Sequence, residues 1–210
     1  MKRRDFIKTT SLMAPAISLF PADLSSITRQ PSSGGLEKRA LGKTGEMLTI
    51  LGFSGIIVRD FTPEASSSIV RFAIDEGVNY FDIAPAYGDA IIKLGPALEP
   101  YRKNIFLACK TGGRKKEDAR KDLEKSLKDM RTDHFDLYQF HAVTTLDDVN
   151  VILGKGGAME TFLEARKEGK IRFIGFSAHS VEAAMALMNG FDFDTILFSV
   201  SFPTGYAGNF

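Results

Sequence analysis

Short apolar runs recur along this chain at intervals of about 30 residues, and this spacing constrains the fold more than any other feature. Each run is nearly continuous in apolar residues and is bounded by glycine or polar residues, as is typical of strands buried on both faces of a sheet. The predicted strands are Thr49–Phe53, Asn79–Ile83, Asn104–Cys109, Phe135–Phe140, Ile171–Phe176 and Thr195–Phe202. Strands of this kind separated by helices predict right-handed βαβ units and a parallel sheet.

Helical periodicity follows four of these strands. The first helix has two start signals, Thr62 as capping residue and Pro63 at the first helical position, and Gly77 ends it. The other helices are predicted over residues 115–131, 159–169 and 180–190, the last with Ser180 as its cap. The apolar residues at helical spacing are expected to face the core: Ala65, Ile69, Phe72, Ala73, Ala119, Leu123, Leu127, Met130, Met159, Phe162, Leu163, Val181, Ala184, Met185 and Met188.

Two α/β architectures are compatible with this order, an open doubly wound sheet and a closed (β/α)8 barrel. An open sheet that binds a dinucleotide would carry Gly-x-Gly-x-x-Gly in its first strand-to-helix turn, and Gly52–Ile56 lacks that spacing. We therefore expect a (β/α)8 barrel (TIM barrel). The polar-apolar segment Leu36–Leu51, which contains Gly42 and Gly45, is predicted to form a hairpin before the barrel.

The composition and charge exclude several classes of protein. The chain has 210 residues, a length that suits one domain with its own core. Its net charge of +1 at pH 7 provides no basic surface for nucleic acid, and no apolar run reaches the roughly 18 residues of a membrane-spanning helix. The single cysteine, Cys109, leaves no disulfide framework, and we expect it to be a buried strand residue and not a redox switch.

The N-terminal 35 residues have the layout of an export leader. Adjacent arginines, Arg3 and Arg4, precede a mildly apolar stretch from Thr9 to Phe20 and the small-residue triplet 14–16. This arrangement resembles a twin-arginine signal and predicts export to the periplasm or cell envelope, with the export machinery as a partner. The alternatives are a disordered basic extension or a helix that lies on a membrane surface.

Four reactive side chains fall at the ends of successive predicted strands. Asp82 ends the second strand, Tyr87 follows it, Lys110 closes the third strand and His141 closes the fourth. Asp82, Lys110 and His141 are separated by 28 and 31 residues, one βα repeat each. Singly, each has a structural alternative, such as a helix cap or a solvated strand end. Because barrel enzymes keep their active sites at the carboxyl ends of the strands, we expect the four to form one catalytic site.

This set suits reduction of a carbonyl by hydride transfer. The reaction needs a proton donor where negative charge develops on the oxygen. A free phenol, with a pKa of about 10, is a poor acid at neutral pH, and a nearby ammonium group stabilises the phenolate. Lys110 can provide the ammonium, Asp82 can hold it, and His141 can orient the substrate oxygen. Three histidines without clustered acids do not favour a metal site.

The segment Gly77–Gly88 resembles the aldo-keto reductase motif around the catalytic aspartate and tyrosine. Other segments are similar to that family in the same order, from about Leu36 to Phe202: the hairpin turn 41–45, the helix 123–127 that leads into Asp136–His141, and the entry to the fifth strand at 168–177. The resemblance implies a (β/α)8 barrel that binds NADP(H), or less often NAD(H). It implies Tyr87 as general acid in the reduction of an aldehyde or ketone to an alcohol.

The resemblance also implies contacts to the coenzyme. Ser177 and Ser199 would contact the nicotinamide amide, and Ser54, Gly55 and Ile56 would meet the coenzyme from the first loop. The sequence departs from the family at Ala178, where many members have asparagine. This change removes one amide contact, for which His179 could compensate. The sequence also departs at Ile91, which replaces a glutamate and is expected to be structural.

Only six barrel strands are predicted before Phe210. We therefore expect a truncated or incompletely recorded chain, with the seventh and eighth βα units and the loop for the adenosine phosphate outside it. The sequence leaves two alternatives to a carbonyl reductase open. One is a Schiff-base lyase with Lys110 as the nucleophile, and the other is a reductase-like barrel without catalytic activity.

Overall fold

A computed structural model of the chain describes residues 35–199. In this range, an antiparallel hairpin precedes a series of short parallel strands that alternate with helices. The strands are β1 Lys38–Ala40, β2 Met47–Thr49, β3 Phe53–Ser54, β4 Tyr80–Asp82, β5 Phe106–Thr111, β6 Phe135–Val143, β7 Ile171–Ala178 and β8 Thr195–Phe198. The α-helices are α1 Pro63–Asp75, α2 Ala90–Leu98, α3 Lys116–Asp129, α4 Leu146–Leu153, α5 Ala158–Lys167 and α6 Val181–Gly190, with 3-10 segments at Gly55–Val58 and Glu99–Asn104.

The strands β3 to β8 form one parallel sheet in which spatial order follows chain order. The sheet is curled and is covered by helices, as expected for six consecutive units of a (β/α)8 barrel. The predicted α/β class and barrel architecture are confirmed. None of the helices between residues 35 and 199 is long and apolar enough to cross a membrane. The predicted leader, apart from Gly35, and the last three residues of the predicted strand 195–202 lie outside the described range.

Alternation along the strands divides the core into two clusters, because successive side chains of a strand point to opposite faces. Leu107 and Cys109 on β5 belong to the large cluster between the sheet and the helices. Their neighbours Phe106 and Ala108 belong to a small cluster on the inner face. Lys110 is two residues after Ala108 and therefore points to the same inner face. Along β5 this face is apolar near the amino end of the strand and carries a lysine near the carboxyl end.

The predicted hairpin is confirmed as the antiparallel pair β1–β2. Leu48 packs on the inner-face cluster, so the hairpin covers the amino end of the curled sheet. Asn79 joins the hairpin to the sheet, since its Oδ1 accepts a hydrogen bond from the Thr49 amide at 2.8 Å and its Nδ2 donates to the Met47 carbonyl at 2.9 Å.

The prediction of one strand over Thr49–Phe53 is wrong. Thr49 ends the hairpin strand β2, and the barrel strand β3 begins only at Phe53. Between them, Ile50 and Leu51 are exposed. The Thr49 side chain folds back on the carbonyl of Leu51 at 2.8 Å, a local bond that turns the chain away from extended pairing. The apolar run therefore belongs to two elements and the turn between them.

Helices α2 and α4 were not predicted. Helix α2 contains Gly95 and Pro96, residues that normally interrupt helices. At Gly95 an added Cβ would lie 2.2 Å from the Asp129 carbonyl oxygen, so the glycine allows α2 to pack directly against the end of α3. Helix α4 is only eight residues long and is capped by the Thr145 hydroxyl, which accepts from the Asp148 amide at 3.1 Å.

Five residues predicted to face the core are exposed instead: Ala65, Phe72, Val181, Met185 and Met188. Helix α6 is apolar around much of its circumference, so its periodicity does not select one face. The structure buries the face with Ala183, Ala184 and Leu187. Its C-terminal Gly190 lies against Leu153 of α4, where a Cβ would meet the leucine Cδ1 at 2.4 Å. Small residues are therefore buried because they allow the helices to approach closely.

Candidate active site

The four predicted catalytic residues come together at the carboxyl ends of the strands. Asp82 is the last residue of β4, and Lys110 lies near the end of β5. His141 lies two residues before the end of β6, which runs three residues beyond its predicted end to Val143. Tyr87 reaches the same place from the loop after β4. The prediction that these strand ends converge is thus confirmed, while the roles of the residues stay predictions.

Lys110 is the centre of the cluster. Its side chain is 1% exposed, and its ammonium donates hydrogen bonds to Asp82 Oδ2, to the Tyr87 hydroxyl oxygen at 3.1 Å and to the Ile83 carbonyl at 3.4 Å. An ammonium has three hydrogens to donate, and each has an acceptor here. Because the Tyr87 oxygen accepts from Lys110, the phenolic hydrogen is left to point away from the lysine.

The carboxylate of Asp82 is held from two strands. Lys110 on β5 binds Oδ2, and Gln139 on β6 donates to Oδ1 at 3.3 Å. Burial raises the pKa of Asp82 above its ordinary value, whereas the Lys110 charge and the hydrogen bonds from Lys110 and Gln139 act in the opposite direction. The carboxylate therefore depends on these two donors to remain ionised in a place from which water is largely excluded.

Gln139 is a site residue that the sequence analysis did not identify. It is 1% exposed and is the cross-strand partner of Lys110. Its position could have been predicted from spacing. Gln139 lies two residues before His141, and residues two apart on a strand point to the same face. A polar residue in that position of a buried strand requires an internal hydrogen-bond partner.

The imidazole of His141 stands edge-on to the phenol of Tyr87, with ring centroids 5.8 Å apart and an interplanar angle of 86°. Burial, together with the neighbouring Lys110, Arg114 and His179, lowers the pKa of His141 to about 4. The imidazole is therefore neutral at neutral pH and can present one N–H donor.

A cleft of about 250 Å³ opens beside these groups. Its lining comprises Tyr87, Lys110, His141, Ser177, Ala178, His179, Leu197, Phe198 and Ser199. Ser177 is buried, and its hydroxyl oxygen accepts a hydrogen bond from the Ala142 amide at 2.8 Å. The cleft therefore joins the cluster around Lys110 to two of the residues predicted to contact the coenzyme, Ser177 and Ser199.

The first-loop residues Ser54, Gly55 and Ile56 do not line this cleft. Ser54 lies opposite Asp82 in the register of β3 and β4, so the loop is at the same end of the sheet. Ser54 and Ile56 are exposed, and Gly55 is buried against β4, where a Cβ would lie 3.1 Å from the Asp82 carbonyl oxygen. Contact between this loop and a coenzyme remains a prediction.

A larger cavity of about 790 Å³ lies at the opposite, amino end of the strands. Its central carboxylate, Asp136, is paired with Arg102 at 3.0 Å and with Arg172 at 2.6 Å, and it also accepts from the Leu107 amide. Arg172 also pairs with Glu46 of the hairpin, so these charges satisfy one another and tie the strands to the hairpin. The ion pairs give the amino end a structural role, whereas the predicted catalytic residues lie at the carboxyl end.

Cys109 is buried, as predicted, and points away from the cleft into the core beneath the helices. Burial raises the pKa of its thiol to about 12, which suppresses the thiolate that reactive cysteines need. In residues 35–199, no group of three or more His, Cys, Asp or Glu side chains is arranged to hold a metal ion.

The chain thus combines a parallel, curled βα sheet of the barrel class with a Lys–Asp–Tyr–His cluster at the carboxyl ends of its strands. Residues 50–202 match the family model described as "Aldo/keto reductase family". The chain belongs to the aldo/keto reductase family.

Individual relatives agree with this assignment. The chain is 31% identical over 157 residues to the uncharacterized oxidoreductase YqkF of Bacillus subtilis, with 68% of this chain and 49% of that protein covered. It is 29% identical over 159 residues to the L-galactose dehydrogenase of Arabidopsis thaliana, with 68% and 48% covered. The holo form of the aldo-keto reductase AKR11C1 from Bacillus halodurans superposes with a TM-score of 0.70 at 27% identity, covering 79% of this chain and 58% of that one. The chain thus spans about half the length of the curated relatives it matches.

Proposed function

We propose that the chain contributes the proton-transfer site of a nicotinamide-dependent oxidoreductase that reduces an aldehyde or ketone to an alcohol. The observation that carries the proposal is the position of the Lys110 ammonium, 3.1 Å from the Tyr87 hydroxyl while bound to Asp82. This arrangement stabilises a phenolate, and so it makes Tyr87 a better proton donor to an oxygen on which negative charge develops.

The cleft suits the reactive end of NADP(H), or alternatively NAD(H). Since the Ser177 oxygen already accepts from the Ala142 amide, its own hydrogen is available for a ligand carbonyl. The hydroxyl of Ser199 and the imidazole of His179 line the same cleft and can bind the donor hydrogens of a carboxamide. At about 250 Å³ the cleft is smaller than typical pockets for whole ligands, so it fits a nicotinamide ring and not a complete dinucleotide.

A bound reduced nicotinamide would supply the hydride, and the residues of the chain would manage the oxygen. His141, neutral at neutral pH, donates an N–H to the carbonyl oxygen and fixes its direction. Tyr87 gives its proton to that oxygen as charge develops there. Lys110 then stabilises the phenolate, and Asp82 keeps the ammonium charged and in place.

A Schiff-base lyase is less compatible with the geometry. An amine nucleophile must be unprotonated and must reach the substrate carbonyl, whereas the Lys110 nitrogen donates to three acceptors and is buried. A dehydrogenase that works in the alcohol-oxidising direction would use the same four residues in reverse, so both directions need an assay.

The experiment is a coenzyme assay on the purified chain with NADPH and NADH, a panel of aldehydes and ketones, and the matching alcohols with the oxidised coenzymes. We expect substrate-dependent turnover that falls by about 10²–10⁴-fold in Tyr87→Phe, the range of general acid catalysis. Tyr101→Phe is the matched control, because Tyr101 lies in the 3-10 segment after α2, away from the cleft. A folded protein that binds no coenzyme, or Tyr87→Phe with full activity, would contradict the proposal.

We also propose that the residues before the barrel direct export, because the arginine pair and the apolar stretch that follows it match a twin-arginine leader. An enzyme exported in the folded state could acquire its coenzyme in the cytoplasm.

A further inference from the structure

The segment that carries His141 has an unusual backbone. The pairing of β6 with β7 shifts register between Phe140 and Val143, and Ala142 has a φ of +51°. Left-handed backbone is strained for a non-glycine residue, so the surrounding structure must hold it. Because Ala142 follows His141 directly, whatever holds this residue also sets where the imidazole projects.

Arg114 is the side chain that binds this segment. Its Nη2 donates to the His141 carbonyl at 2.8 Å and to the Ala142 carbonyl at 3.2 Å. Its Nε donates to Asp148 Oδ1 at 3.1 Å. From the other side, the Ala142 amide donates to Ser177. The peptide after His141 is therefore fixed at its carbonyls by Arg114 and at its amide by Ser177.

The base of Arg114 is itself fixed. Its carbonyl accepts from the Ala158 amide at 2.9 Å. At the preceding Gly113, a Cβ would lie 2.7 Å from the Ala119 nitrogen, so the chain there is pressed against the first turn of α3. The partner Asp148 lies in the first turn of α4, where its amide donates to the hydroxyl of the capping residue Thr145. The guanidinium thus connects two anchored elements to the turn at the end of β6.

We propose that Arg114 is a positioning residue of the active site, which holds the left-handed turn after His141 and so keeps the imidazole in the cleft beside Tyr87. Arg114 does not line the cleft, so it acts through His141 and not on a substrate. The guanidinium also contributes positive charge near the imidazole, together with the Lys110 ammonium. This inference rests on the proposed function only for its effect on catalysis, since the geometry of His141 can be measured without turnover.

The test uses the full chain with Arg114→Met, and Arg102→Met as matched control. Arg102 also binds carbonyl oxygens, those of Ile105 and His134, and pairs with a carboxylate, but at the opposite end of the strands. NMR titration of the three imidazoles, with His141 assigned through His141→Gln, reports on the site directly. We expect the pKa of His141 to rise from about 4 toward 6.5 in Arg114→Met and to stay in place in Arg102→Met.

The catalytic readout is kcat/KM for carbonyl reduction, which should fall by about tenfold or more in Arg114→Met because a small displacement of a catalytic group carries a large cost in rate. Adding Ala142→Gly should restore part of that loss, since glycine adopts the left-handed conformation without a penalty. Arg114→Lys should remain impaired, because one ammonium cannot reproduce both the Nε and the Nη2 contacts. If Arg114→Met does not fold, Arg114→Lys is compared with Arg102→Met in its place.

An unchanged His141 titration in the Arg114 variants, or full activity in Arg114→Lys, overturns the inference. Equal changes in the pKa of His141 and in kcat/KM for Arg114→Met and Arg102→Met overturn it as well. If the unmodified chain turns over no carbonyl compound, the proposed function fails, while the His141 titration still decides the role of Arg114.

Discussion

Lys110 and Gln139 are cross-strand partners on β5 and β6, and each binds a different oxygen of the same Asp82 carboxylate. The register of two strands thus determines how one carboxylate is held. An error of one residue in that register would turn one of the two donors to the opposite face of the sheet. The geometry of the site is therefore built into the pairing of the sheet.

The first prediction concerns the stability of this cluster. Replacement of the cation in Lys110→Met leaves the buried Asp82 with only Gln139, and breaking a buried ion pair typically costs about 3–5 kcal/mol. The double variant Asp82→Asn with Lys110→Met removes both charges and should be more stable than Lys110→Met alone. Denaturant unfolding of the three proteins measures this. A single variant as stable as the double variant would show that Asp82 needs no charged partner.

The second prediction concerns pH. His141 has a pKa of about 4 in the folded chain and about 6.5 when unperturbed. Between these values the unfolded chain binds a proton that the folded chain does not, so the free energy of unfolding falls as the pH falls through this window. A shift of this size corresponds to about 3–4 kcal/mol. Because the imidazole is only half-buried, solvent screening reduces the expected contribution to about 2–3 kcal/mol, and it is fully present above pH 6.5.

His141→Gln isolates this contribution from the carboxylates that titrate in the same range. From neutral pH to about pH 4, the unmodified chain should lose stability relative to the variant by roughly the amount given above. Denaturant midpoints at several pH values provide the measurement. If the free energy of unfolding changes with pH in the same way for both proteins, the folded chain does not depress the pKa of His141.

The third prediction concerns the contact of α2 with α3. Gly95→Ala would usually stabilise a helix by about 1 kcal/mol, but here the added Cβ would lie 2.2 Å from the Asp129 carbonyl oxygen and 3.1 Å from the Met130 Cα. Both are backbone atoms, so we expect a net destabilisation of about 1–3 kcal/mol. Gly112→Ala, with open space around its Cβ position, is the control. Equal thermal midpoints would contradict the close contact.

The fourth prediction concerns the leader. A chain with both Arg3→Lys and Arg4→Lys should remain in the cytoplasm of a bacterium that has twin-arginine export, while the unmodified chain reaches the periplasm or envelope. Cell fractionation followed by immunodetection distinguishes the two. Cytoplasmic retention of both chains, or export of both, would show that the arginine pair has no role as an export signal.

The sequence was sufficient to predict the barrel and the meeting of Asp82, Lys110 and His141, because strands of a parallel sheet end at one edge and the reactive residues recur at the βα repeat. It was insufficient where tertiary contacts override local preference. Gly95 and Pro96 argue against a helix, yet packing against α3 stabilises one there. On α6, Met185 and Val181 are apolar but exposed, because small residues allow the closer approach on the other face.

Arg114 illustrates a different limit. An arginine after two glycines gives no local sign of its partners, which are main-chain carbonyls 27 and 28 residues further along. Such contacts depend on the register shift of β6 between Phe140 and Val143, and a local shift of this kind leaves no periodic pattern in the sequence. Gln139, by contrast, could have been found from its spacing to His141.

The single cysteine has a practical consequence. Cys109 immediately precedes Lys110 on β5, is enclosed by the core, and has a thiol pKa near 12. A thiol reagent can therefore reach it only when that strand separates from its neighbours. Under native conditions the rate of thiol labelling therefore reports how often β5 opens. Because Lys110 is on the same strand, this rate also reports how often the lysine is released from its partners.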